Sequence, residues 1–266
     1  AAISTSSLAV SYATGLMNIC AAVGVNPVSG KIAVVGTDAT NEVRFEPNVR
    51  GRFVHVMVGL VDATGPGKTV KDLNPHLVPY AAQQVAQSER DKSIGDPRGI
   101  AWNSSGTRGY VTGMGSNNVV VIDAAGDRAG LATTIPVGEG PTGVAFDGSR
   151  GRVYVLNRFS ASVSVINAAS ETVIATVPFY DPTPVQIKVG RKHLYDTHKT
   201  SGLGQASCAA CHVDGRMDFL GWDLGDPSGS VKQLTGQNLG AGINGLSAAT
   251  TTPSFEPWHP MKGPMM

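Results

Sequence analysis

Two thiols and an imidazole stand within five residues at Cys208-Ala209-Ala210-Cys211-His212. Cysteines three apart on a helical turn face the same way, and a histidine four residues after the first joins that face. C-x-x-C-H is the attachment pattern of a c-type haem. The thiols add to the two porphyrin vinyl groups, and the imidazole ligates the iron from the proximal side. Other uses of these residue types fit less well. A structural zinc takes four ligands, whereas Cys208, Cys211 and His212 supply three, two of them adjacent in the chain. A redox dithiol belongs between a strand and a helix in a βαβ unit, and no such unit is visible. The expected cofactor is one covalent haem c, with His212 as proximal ligand.

Neighbouring residues extend this reading. Met217, Phe219, Leu220, Trp222 and Leu224 offer apolar walls for a porphyrin. Arg216 is a candidate partner for a haem propionate, because a guanidinium meets a carboxylate bidentately, and the Trp222 indole N–H is another. Plain packing and a solvated charge explain the same residues equally well. The second axial position decides the chemistry: a six-coordinate iron passes electrons, and an open one admits peroxide. His259, Met261 and Met265 lie 47 to 53 residues beyond His212, far enough along the chain to cross the haem, and are the distal candidates. The same Pro- and Met-rich tail also reads as an ordinary loop. His55 and His76 receive no role, one of His193 and His198 is a candidate to approach the haem edge, and Cys20, in an apolar run, is expected to be a buried core thiol.

The elements that must hold this motif are short strands. Glycine (33) and proline (16) are abundant among the 266 residues, which favours tight turns over long helices. A hydrophobic share of 41% is ample for a core. The 21 basic and 20 acidic residues nearly cancel, so no basic field points to nucleic acid or an anionic membrane. No apolar run reaches the length of a membrane span. The chain begins at Ala1 without a leader-like segment and ends in the Met-rich tail, and it reads as a piece of a longer protein whose signal peptide lies outside it.

A repeat runs through the middle. Pro97-Arg98-Gly99-Ile100-Ala101-Trp102 returns 44 residues later as Pro141-Thr142-Gly143-Val144-Ala145-Phe146. Tyr110-Val111 returns as Tyr154-Val155, and Asn118-Val119-Val120-Val121-Ile122-Asp123 as Ser162-Val163-Ser164-Val165-Ile166-Asn167, in the same register. A period in the forties built of short strands is the signature of propeller blades. The first unit divides into strands near 98–103, 108–113, 118–123 and 131–137, with alternation that suits one packed face. A looser unit lies upstream, with Val34-Val35-Gly36 as its second strand and 58–62 as its third. Insertions at 41–53 and 71–91 interrupt it, and the second is expected to project from one face. The fold expected is mainly β: about three four-stranded blades of a partial β-propeller over 1–180, then a small helical or irregular cytochrome segment over 181–266.

Tyr110-Val111-Thr112-Gly113, followed by Gly115-Ser116-Asn117-Asn118-Val119-Val120-Val121-Ile122-Asp123, resembles the YVTN-type β-propeller repeat, with Gly113 where that repeat has Asn. Further on, Gly190-Arg191-Lys192-His193-Leu194-Tyr195-Asp196 and Ser201-Gly202 lead into Ser207-Cys208-Ala209-Ala210-Cys211-His212. This arrangement resembles the haem-binding segment of bacterial di-haem cytochrome c peroxidases and MauG-like proteins. The resemblance implies a periplasmic or exported protein, since such haems are attached outside the cytoplasm. Three functions follow as expectations. The first is electron transfer, with the propeller as a docking scaffold for a redox partner protein. The second is a peroxidase-like oxidoreductase of the di-haem class, whose second C-x-x-C-H is expected beyond Met266. The third is a propeller binding module whose haem is structural.

Overall fold

The computed structural model describes residues 1–41, 52–63 and 67–220. Trp222, Leu224, His259, Met261 and Met265 therefore lie outside the described residues. After a small ribbon of β1 (Ala2–Ile3) and β2 (Val10–Ser11), the chain folds into three consecutive four-stranded antiparallel meanders. The first is β3 (Ile19–Val25), β4 (Ile32–Ala39), β5 (Val54–Val61) and β6 (Lys68–Asp72). The second is β7 (Pro97–Trp102), β8 (Gly109–Gly113), β9 (Asn118–Ile122) and β10 (Ile135–Pro136). The third is β11 (Pro141–Asp147), β12 (Arg152–Asn157), β13 (Ser162–Asn167) and β14 (Thr172–Pro178). A short helix, α1 (Gln87–Arg90), lies in the connection between the first two.

Three sheets stacked through their first strands form a propeller sector, and the 44-residue period is the blade. The turns repeat with the strands. Asp123 and Asn167 occupy the same turn of blades two and three, and each accepts from the backbone two residues on, at 2.8 Å from Ala125 and 2.9 Å from Ala169. Such short polar side chains close turns by imitating a backbone carbonyl. The first strands of all three blades also bulge at one place, leaving Ala21, Arg98 and Thr142 as the extra residues.

Blade stacking makes the core, and strand alternation divides it. Within β9, Val120 and Ile122 face blade one and pack with Val35, Val56, Val58 and Trp102. Val119 and Val121 face the other way and pack with Val153, Val155 and Ile166 of blade three. Glycine permits the close approach of inner strands: a Cβ on Gly99 would stand 2.5 Å from the Thr142 carbonyl oxygen.

The insertion after β6 differs from expectation. Its first residues complete a fourth strand, and the rest is anchored rather than projecting. Leu73, Leu77 and Tyr80 are buried, and Asn74 exchanges hydrogen bonds with Ile94, at 2.9 Å to its carbonyl and 2.7 Å from its N–H. Hydrophobic burial outweighed the polar composition that suggested an exposed loop. Cys20 also differs from expectation. It is exposed at the start of β3, along a cavity of about 930 Å³ beside the N-terminal ribbon, because nothing among the described residues closes that side of blade one.

Past β14 the blade pattern stops. Helix α2 (Val185–Tyr195) follows, then α3 (Thr197–Thr200) and α4 (Cys208–Cys211). Among the described residues no helix is long and apolar enough to cross a membrane.

Candidate functional site

Residues 196–206 lay the chemistry-bearing turn onto blades one and two. The Asp196 side chain caps α3 by accepting from the Lys199 N–H at 3.1 Å. Thr197 fits a notch formed by Gly95 and Gly115, where its N–H donates to the Gly115 carbonyl at 2.9 Å. A Cβ on either glycine would come within 2.6 Å of the Thr197 side chain. Further along, the Ser93 hydroxyl donates to the Leu203 carbonyl at 2.8 Å, and Leu203 packs on Leu77 and Tyr80 of the anchored insertion.

Helix α4 is one turn of C-x-x-C, and its two faces differ. Ala209 and Ala210 are buried, Ala210 against Val54 and Ala206. Cys208 is exposed and Cys211 half-buried, and neither is in a disulfide. The small alanines thus seat the turn, with Cys208 on its open side and Cys211 at the margin of the packed one. The His212 N–H closes the turn on the Cys208 carbonyl at 3.0 Å.

The His212 ring is buried, and its Nδ1 lies 3.1 Å from the Arg216 carbonyl oxygen. A carbonyl can only accept, so Nδ1 carries a proton, which in the Nδ1–H tautomer leaves the lone pair on Nε2. That is the tautomer and orientation an iron-ligating histidine needs, held by the kind of second contact that fixes metal-bound imidazoles. The donor set fits a c-type haem: two thiols three residues apart on one turn, outside any disulfide, and one imidazole whose Nδ1 is engaged and whose Nε2 is the coordinating nitrogen. Arg216 is exposed, and the contact that ties it to the site is through its carbonyl. Met217 is half-buried, Phe219 exposed and Leu220 buried. Among the described residues no three His, Cys, Asp or Glu side chains converge on one point as a metal-ion site would require.

The loop after His212 is tied back to the blades by a charged contact that sequence reading did not single out. Arg98, the bulged residue of β7, donates through Nε to Asp96 Oδ1 at 2.7 Å and lies 3.2 Å through Nη1 from Asp214 Oδ1. Burial pushes the Asp96 carboxyl above its ordinary value, and the neighbouring Arg98 opposes that shift. The one available signal was a mismatch in the repeat, Arg98 where the next blade has Thr142.

His55, His76 and His198 make structural contacts. His76 Nε2 bonds the Ser93 hydroxyl at 3.2 Å, and burial lowers its pKa. His55 stacks on Tyr80 with ring centres 4.4 Å apart. His198 Nε2 lies 2.9 Å from the Ser93 carbonyl, fastening α3 to blade two. His193 is exposed on α2.

No protein-family model matches the chain, and no curated protein matches it significantly. Solved structures are similar to it in part. Hydrazine synthase from Kuenenia stuttgartiensis shares 21% identity over 57% of this chain and 46% of its own, with a TM-score of 0.43. A streptogramin B lyase structure shares 14% identity over 59% of this chain and 39% of its own, with a TM-score of 0.37. The structure of U3-55K shares 14% identity over 64% of this chain and 42% of its own, with a TM-score of 0.42. The chain thus spans less than half the length of each of these structures.

Proposed function

We propose that the Cys208–His212 turn carries one covalently attached haem c and that the protein transfers electrons, with the propeller blades as the scaffold on which a redox partner protein docks. The observation that carries this reading is the pairing, on one turn, of two thiols outside any disulfide with a buried imidazole whose Nδ1 is fixed on the Arg216 carbonyl. The haem supplies a one-electron iron couple. The chain's own residues do the rest. Cys208 and Cys211 hold the group, His212 offers Nε2 to its iron, and Ala209 and Ala210 seat the turn on the blades. The Arg98–Asp214 contact restrains the loop that carries the Arg216 carbonyl. Met261, Met265 and His259 are the distal candidates, and Arg216 and Trp222 the candidate propionate partners. The compartment that suits this chemistry is the periplasm or the exterior of the cell.

The test is to produce the chain in cells with a haem-attachment system and record a pyridine haemochrome spectrum after denaturation. A haem c spectrum that survives denaturation, and is lost in the double variant Cys208→Ala, Cys211→Ala, is the expected result. A chain that retains no haem in these cells overturns the reading. The ferric spectrum then separates the reactions. A low-spin form indifferent to cyanide and azide is expected of electron transfer. A ligand-exchangeable form with hydrogen peroxide turnover assigns the protein to peroxidase chemistry instead.

A further inference from the structure

A cavity of about 900 Å³, lined on one side by Asp214, opens where the three bulged residues Ala21, Arg98 and Thr142 meet. Its size suits a small organic molecule. Helix α2 forms one wall with Ile187 and Leu194, and the β12–β13 turn contributes Phe159. These give the cavity an apolar lining on which a flat or aliphatic body can rest.

Three guanidinium groups reach this space: Arg98, Arg158 and Arg191. Their charges are not equally matched. Arg98 is balanced by Asp96 at 2.7 Å and Asp214 at 3.2 Å, which also accounts for the one carboxylate lining the cavity. Arg191 is positioned by neutral groups. Its Nη1 donates to the Phe159 carbonyl at 3.3 Å, its Nη2 to Thr183 Oγ1 at 3.1 Å, and the guanidinium lies 5.1 Å from the Phe159 ring centre. Arg158 is exposed, and neither it nor Arg191 forms an ion pair among the described residues. Two positive charges therefore face a partly apolar cavity without a carboxylate paired to them among the described residues.

We propose that this cavity binds a small organic dianion, a dicarboxylate with an aromatic or aliphatic body. Arg158 and Arg191 supply its charge recognition, since a guanidinium fork matches a carboxylate in both geometry and charge. Phe159, Ile187 and Leu194 supply the contact surface for its body. The residues assigned to recognition all come from the blades and α2, and none of them is a residue assigned to haem attachment.

Isothermal titration of the full chain with phthalate, isophthalate and terephthalate tests this, with benzamide as the neutral control. At least one of the three dicarboxylates is expected to bind saturably, and benzamide is not. Arg158→Gln is expected to weaken binding about tenfold, a loss of about 1.4 kcal/mol. Arg158→Lys is expected to lose less. Lys31→Gln, on the far edge of blade one, is expected to change nothing and controls for general surface charge. Absence of saturable binding by all three dicarboxylates at about 10 mM, the weak limit of specific recognition, overturns the proposal. So does equal weakening by Arg158→Gln and Lys31→Gln.

Discussion

Blades two and three are written in nearly the same register, yet they are packed differently. In blade two every residue of β8 and β9 is buried. In blade three, β12 and β13 alternate between buried and partly open positions, and all seven residues of β14 are exposed. Tyr110 is 1% exposed, whereas its counterpart Tyr154 is only half-buried. Val119 and Val121 are sealed by blade three, while Val163 and Val165, which repeat them, have no blade over them among the described residues. The strand pattern specifies which face each side chain takes, but the neighbouring blade decides how much that face is worth. Each blade carries two apolar faces and can bury only those another blade covers.

The comparison breaks most clearly at the paired tyrosines. Tyr110→Ala should cost about 3 kcal/mol, the cost of truncating a large buried ring, and Tyr154→Ala less than about 1 kcal/mol. Urea unfolding of the two variants measures this, and equal losses would show that both faces of blade three are covered in solution. The paired glycines give a smaller but sharper contrast. Gly99→Ala places a methyl 2.5 Å from the Thr142 carbonyl, whereas at Gly143 the nearest atom is 3.4 Å away on Leu156. The first should cost about 1–3 kcal/mol as an overpacked contact, and the second should be neutral or stabilise by about 0.5 kcal/mol through the unfolded chain. Thermal unfolding separates them, and a Gly143→Ala cost matching that of Gly99→Ala would place another inner strand against blade three. The smallest effect is local. Amide hydrogen exchange should be fastest in β14 and slowest in β9, because the edge strand opens without disturbing a core. Equal protection of β14 and β9 would remove the distinction between the blades.

How far the sequence could be read follows from the range of each cause. The blades were legible because their signals are local and repeated: alternation in Val163-Ser164-Val165, turn-closing Asp123 and Asn167, and one offset shared by every anchor. The C-x-x-C turn was legible from five consecutive residues. The anchored insertion was not, because its burial depends on Tyr80 meeting Leu203, far along the chain. Arg98 was hidden for the same reason, since its partner Asp214 lies more than a hundred residues away. Cys20 was misread as buried because an apolar neighbourhood in sequence does not reveal whether a neighbouring blade will cover it.

The notch that receives Thr197 carries a consequence for assembly. A structure made of repeated blades offers an appended segment several near-equivalent landing places, and something must distinguish them. The glycines of that notch, Gly95 and Gly115, correspond to Glu139 and Phe159 in blade three and to Asn18 and Asp38 in blade one. Only blade two is bare at both positions, so only there can the threonine side chain come to rest against the backbone. Two missing side chains thereby act as an address, breaking the pseudo-symmetry of the blades and deciding over which of them the Cys208–His212 turn is delivered.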